Sequence, residues 1–430
     1  MSENNANMGT VATQKNPYRW VMLILVMLVY VIVLGFTNQS FNILLGSIVN
    51  DQGWSAVQKT AVSGAFATGM VWFCFVAGNV IDKAGAKKIM GSALVILAIL
   101  IFLRGKAEGF MTWYIMQFMY GVVSAFYQPC VTKVATLWFD KDELPFANGC
   151  TTAASPIGQV TANLFAARIA QSLSGGWRQL YMIVGIIVAV VMVIWWIFAK
   201  ERNSMDAATS SDLIKENKLL DNIKGVLSDP YVWFMILADA FFLGSIYAGG
   251  TYGAYTLQND PGWMVEKIYS GYPSMCNNIC STIAYLTTPL ICRKIKPGVA
   301  YKWWVMISGF IAPIFFIIGY RTYSLPAIMV CFGIAGIMYG GIVPGTKVLM
   351  LQRPKVAGVR SGAAFGLMLT VERIFITLAV NLIGSILFTS ESGLAVTVSN
   401  FYFLQLLAPC CVALAFIYDH FSKKKAASKA

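Results

Sequence analysis

Five charged side chains fall inside stretches otherwise suited to a hydrocarbon interior: Lys133, Asp239, Lys347, Glu372 and Arg373. A charge in such a stretch is costly unless it faces protein or water, which makes each one a candidate for function. The two lysines have similar surroundings, Gln-Pro-Cys-Val-Thr-Lys at Lys133 and Val-Pro-Gly-Thr-Lys at Lys347. The chemistry open to this set is non-covalent: cations that attract an anion, and carboxyls that carry a proton. Arg373 offers a planar fork of N–H donors to a carboxylate, while lysines act as point charges. Glu372 and Arg373 are neighbours, so on a helix they point about 100° apart and are expected to find other partners. Asp239 is the candidate partner for Arg373, and Asp239 and Glu372 are the proton-coupling candidates. Two alternatives stand beside this reading. The lysine stems could reach back to the membrane surface, and Arg373 could sit in an internal salt bridge with no ligand.

Polar residues accompany the charges. Gln128, Asn42, Tyr247 and Tyr255 are candidate substrate contacts, because buried amides and hydroxyls need partners that a polar cargo or another helix can supply. Asn and Gln also recur at positions 38, 39, 159, 163, 277 and 278.

The elements that must position these groups follow from composition. Of 430 residues, 57% are hydrophobic and 12% charged, and a soluble chain would carry about 25% charge. Mean hydropathy is +0.65, so lipid is the expected solvent for much of the surface. The formal charge of +13 does not indicate nucleic-acid binding, since most Lys and Arg lie in short breaks between apolar runs. The nine cysteines read as small packing residues. Cys276 and Cys280 could share a helix face, but no His or acid lies nearby to complete a metal site. No phosphate-loop signature is present, His420 alone makes no proton relay, and no cofactor is expected.

Breaks at charged, Gly/Pro and polar clusters predict twelve spans. They cover 18–40, 57–80, 87–104, 110–137, 145–171 and 177–199, then 230–256, 267–292, 301–320, 324–349, 359–387 and 397–419. The expected organisation is a tail over 1–17, a six-helix bundle over 18–199, a polar linker over 200–229, a second bundle over 230–419 and a tail over 420–430. Within the linker, Asp212 to Leu227 has an apolar side suited to lying on a membrane. Lys and Arg concentrate in the breaks that share a side with the termini, so the positive-inside rule places both ends in the cytoplasm. Lys133 and Lys347 each fall in about the fourth span of a half, which hints at a repeat.

Between spans two and three runs Gly78-Asn-Val-Ile-Asp82-Lys83-Ala-Gly85-Ala-Lys87-Lys88. Gly78 suits close packing, Gly85 a turn, and Asp82 can accept from N–H groups at a helix start or pair with Lys83 or Lys87. This run resembles the signature loop of the major facilitator superfamily. Arg293-Lys294-Ile-Lys296-Pro297-Gly298 in the second half keeps the basic charge without the aspartate. The resemblance implies an all-α membrane fold of two six-helix bundles related by a parallel repeat. It also implies alternating access, with this loop latching the cytoplasmic side.

The expected function is secondary transport of a small polar organic anion, coupled to protons or to a counter-substrate anion, in a plasma membrane, by a monomer that is not an enzyme. Efflux of amphipathic compounds is the runner-up, because Ala154-Ser155-Pro156-Ile157-Gly158 retains part of an exporter-like motif. A non-transporting receptor or scaffold is the third reading.

Overall fold

The computed structural model describes residues 17–139, 143–201, 225–294, 297–351, 353, 361–389 and 393–427. Most of the 200–229 linker, including all but the end of the predicted surface helix, lies outside them, as does nearly all of the 1–17 tail.

Twelve long helices run through the described residues. They are α1 Tyr18–Gln52, α2 Ala56–Ala84, α3 Ala86–Arg104, α4 Phe110–Trp138, α5 Leu144–Ser172 and α6 Gly176–Phe198, then α7 Pro230–Asn259, α8 Tyr272–Lys294, α9 Pro297–Arg321, α10 Leu325–Leu351, α11 Ser361–Leu387 and α12, which starts at Leu394 and ends at Ala427. Eight are long and apolar enough to cross a membrane. Helices are the solution lipid demands, because each closes its own backbone hydrogen bonds.

The contacts sort the helices into two bundles of the same design. In the first, α1 packs on α5, α2 on α4, and α3 on α6; in the second, α7 packs on α11, α8 on α10, and α9 on α12. Each pair recurs six helices further along the chain, which is the parallel repeat. The bundles meet where α2 lies against α11, α5 against α8, and the second half of α1 against α7. Lys133 on α4 and Lys347 on α10 therefore occupy corresponding helices, each within the last two turns.

Boundaries differ from expectation where polar residues are satisfied by other helices. α1 continues to Gln52, well past the predicted end at 40, because Gln39 donates to Asn163 (2.9 Å) and Asn42 to Gln39 (3.3 Å). It stops at Gly53, whose φ of +63° ends the helix without side-chain strain. α8 starts at Tyr272 rather than 267, since the preceding turns are organised by Asp260. Its carboxylate accepts from Gly262 N (2.9 Å) and from Ala395 N at the start of α12 (2.8 Å).

One irregularity was not foreseen. Tyr30–Thr37 of α1 is a π-helix. Next to it, Gly35 and Gly158 bring α1 and α5 backbone to backbone: a Cβ at Gly35 would lie 2.6 Å from the Gly158 Cα. Small residues at a crossing allow this approach.

Candidate functional site

Arg373, on α11, is buried where the bundles meet. Its Nη2 lies 3.4 Å from Glu372 Oε1, and its guanidinium carbon is 5.5 Å from the centre of the Tyr247 ring on α7. From the first bundle, Tyr30 on α1 and Cys74 on α2 fall within its electrostatic reach. Nε has no partner. The guanidinium thus keeps donor capacity in a position framed by α1, α2, α7 and α11.

The Glu372–Arg373 contact corrects the expectation that these neighbours are poorly placed to pair and find other partners instead. Their Cβ atoms do diverge, but the side chains are long enough to fold back across the helix surface. At 3.4 Å the contact is long for a charge-assisted hydrogen bond, so it leaves the fork incompletely used.

Asp239 is fully buried on α7 and accepts from Thr346 Oγ1 on α10 at 2.8 Å. Its other oxygen has no hydrogen-bond partner among the described residues. Lys347 is the foremost cation acting on it, ahead of Arg373, with Glu372 opposing. Asp239 is therefore partnered mainly through α10 rather than through Arg373. Two cations and two carboxyls from α7, α10 and α11 form one network in the second bundle.

Aromatic rings wall this network. Tyr339 stacks on Phe242 (5.1 Å between centres) and meets Tyr285 edge-on (6.0 Å). Across the seam, Tyr30 donates to the Gln128 carbonyl (3.2 Å) and packs edge-on against Tyr127 (6.0 Å). The arrangement offers planar donors, hydroxyls and π faces, which suits reversible capture of a small polar anion rather than bond-making chemistry.

The other sequence candidates are distributed differently. Gln128 contributes its carbonyl to Tyr30 and turns its amide toward Met70 Sδ (3.9 Å). Lys133 is half-buried on α4 and already engaged. Asn42 belongs to the Gln39–Asn163 chain, roughly 15 Å further along α1 than Tyr30. Tyr255 lies two turns beyond Tyr247 and packs edge-on against Phe388 (5.0 Å). Asn42 and Tyr255 thus belong to the end of the molecule away from the termini. There the bundles are joined by Gln258 Nε2 to the Ile43 carbonyl (3.4 Å), by Lys267 to Ser47, and by Arg168 to Tyr272. Burial lowers the Lys267 pKa from its ordinary value.

The signature loop has its own geometry. Gly85 takes φ +86° between α2 and α3, and the N–H groups of Ala86 and Lys87 donate to the Glu201 carboxylate at 3.0 and 2.9 Å. The side chains of Asp82 and Lys83 lie outside the described set; the backbone from Gly78 to Lys83 is helical, Lys87 is half-buried and Lys88 exposed. The acceptor at the start of α3 is thus Glu201, a residue that sequence reasoning missed because it lies more than a hundred positions away. A Cβ at Gly85 would also press on that carboxylate, 2.9 Å from its carbon. Replacing Glu201 with Ala is expected to cost about 1–2 kcal/mol of stability by leaving two helix-start donors unpaired. Thermal unfolding of the purified variant, with Glu201→Gln retaining part of the loss, checks this.

The model of the Major Facilitator Superfamily matches residues 26–380. This chain belongs to that superfamily. Among solved structures, it is similar to a bacterial homologue of the human lysosomal transporter Spinster, crystallised in an inward-facing, unoccupied conformation. The TM-score is 0.75 at 16% identity, covering 94% of this chain and 98% of that one. The superfamily fold and the helices long enough to cross a bilayer make this a multi-pass membrane transporter, not an enzyme. Relatives include the hexuronate transporter of Bacillus subtilis (strain 168), 25% identical over 36% of this chain and 36% of that protein. A putative tartrate transporter of Agrobacterium vitis is 22% identical over 59% and 60% respectively. A probable L-galactonate transporter of Escherichia coli (strain K12) is 22% identical over 37% and 35%. The matches thus span about a third to three fifths of these relatives.

Proposed function

We propose that this superfamily member is a secondary active transporter of a small hydroxylated carboxylate, moved by alternating access of its two bundles. The observation that carries the reading is Arg373, a buried guanidinium with unused donor capacity, framed by Tyr30 and Cys74 of one bundle and Tyr247 of the other. A carboxylate docked there touches both halves, so its binding energy can differ between their arrangements, which is what a carrier requires. Tyrosine hydroxyls and rings around the guanidinium suit a cargo with hydroxyl groups. The names of the hexuronate, tartrate and galactonate relatives agree with that class.

Asp239 and Glu372 are the proton-carrying groups in this scheme, with exchange against a second anion as the other coupling mode. Both termini lie in the cytoplasm and the host membrane is the plasma membrane, as the basic residues at Arg19, Lys87, Lys88, Arg293 and Lys302 support. The site is complete within one chain, consistent with a monomer.

Counterflow in reconstituted vesicles tests the reading. Vesicles preloaded with unlabelled hexuronate, galactonate or tartrate should transiently concentrate the labelled compound, and an imposed pH gradient should change the rate for proton coupling but not for pure exchange. Failure of every sugar acid to produce counterflow, in protein that remains folded, overturns it.

A further inference from the structure

Arg104 is the last residue of α3 and is fully buried. Nη2 donates to Gln117 on α4, whereas Nε and Nη1 have no hydrogen-bond partner among the described residues. Asp51, an acid near this end of the first bundle, is committed to Arg178 at 2.8 Å. Among the described residues, no carboxylate is paired with Arg104. Two π faces lie close to it, with the guanidinium carbon 4.4 Å from the centre of Tyr120 and 5.8 Å from that of Tyr181. Such faces offset only part of the cost of burying a full charge.

Beyond Tyr181, which Arg104 faces, the next ring belongs to Trp113, a donor as well. Trp113 packs 6.1 Å from Tyr181 and 5.9 Å from Trp54, and both the Trp113 and Trp54 indole N–H groups are buried without a partner. Gln117 supplies a single acceptor. A guanidinium with two unpaired nitrogens, an indole N–H one ring away and the positive edges of several rings is matched to a compact anion that needs no donors of its own.

We propose that the first bundle holds a monovalent halide between Arg104 and Trp113, at the end of the molecule away from the termini. A halide fits better than an oxyanion, because it accepts from few N–H groups and tolerates ring edges around the rest of its surface. The site is separate from the Arg373 network and independent of the substrate reading. By neutralising Arg104 it ties α3, α4 and α6 together, so its occupancy stabilises the first bundle.

The test is the thermal unfolding midpoint of the full-length purified protein in sodium chloride or bromide against sodium methanesulfonate, at constant ionic strength. Either halide should raise the midpoint saturably, by roughly 2–5 °C. The shift should persist in Arg373→Gln and vanish in Arg104→Gln. Crystals grown in bromide should show anomalous signal beside Arg104. Should Arg104→Gln fail to fold, Trp113→Phe keeps the ring and removes one donor, so the halide concentration for half the shift should rise several-fold. Identical midpoints in all salts overturn the proposal. So does a shift that survives Arg104→Gln, a shift lost in Arg373→Gln, or an unchanged half-point in Trp113→Phe.

Discussion

Replacing Arg373 with Gln is expected to reduce counterflow by about a hundredfold or more while leaving the protein folded. The size follows from removing a buried cation from a charge-assisted contact with the substrate carboxylate, a loss of about 3 kcal/mol or more. Arg373→Lys should fall between the two, because it keeps the charge but loses the planar fork. Since Glu372 leans on the same guanidinium at 3.4 Å, the Gln variant also strands that carboxylate. Adding Glu372→Gln separates the effects: thermal stability should recover in the double variant, and transport should not. Full counterflow in Arg373→Gln would remove this residue from the substrate site.

Lys347→Gln is expected to lower the unfolding free energy by about 1–2 kcal/mol, because it removes the foremost cation acting on the fully buried Asp239. The same chain carrying Asp239→Asn as well should regain most of that loss, since two neutral groups no longer need to be paired. Thr346 can keep its hydrogen bond, now to the Asn amide oxygen. Thermal or denaturant unfolding of the two single variants and the double variant gives the coupling energy directly. Purely additive losses would show that Lys347 and Asp239 do not act as a pair. Asp239→Asn has a second readout, loss of any pH-gradient effect on transport, which a packing role would not produce.

The parts legible in the sequence were those written in residue type against a contrasting background. Twelve apolar runs separated by basic breaks gave twelve helices, and charges within those runs marked Asp239, Lys347, Glu372 and Arg373. Geometry that depends on long-range contact was not legible. Tyr30 lies in an ordinary apolar run, and only folding brings it within reach of Arg373. Nothing in Tyr-Val-Ile-Val-Leu-Gly-Phe-Thr signals a π-helix, because the widened turn is set by how α1 meets α5. Glu201 caps α3 from the far end of the bundle. The Glu372–Arg373 contact escaped a helical-wheel argument because such a wheel tracks where a side chain starts, not how far it bends. Asn42 and Tyr255 lie further along their helices than Tyr30 and Tyr247, a separation that residue type alone does not show.

At the end away from the termini, the bundles are joined by Lys267 to Ser47, Arg168 to Tyr272 and Gln258 to a backbone carbonyl, whereas the ion pairs described above each lie within a single bundle. Each of these bonds sets at most one charge against a neutral acceptor, and water can replace such a partner at little net cost. The two halves can therefore part along this face without stripping a counter-ion from either. In the proposed alternating access, such a joint adds little to the free-energy gap that the differential binding of one small anion has to tip. The joint behaves as a reversible fastener whose strength is matched to a cargo rather than to the fold.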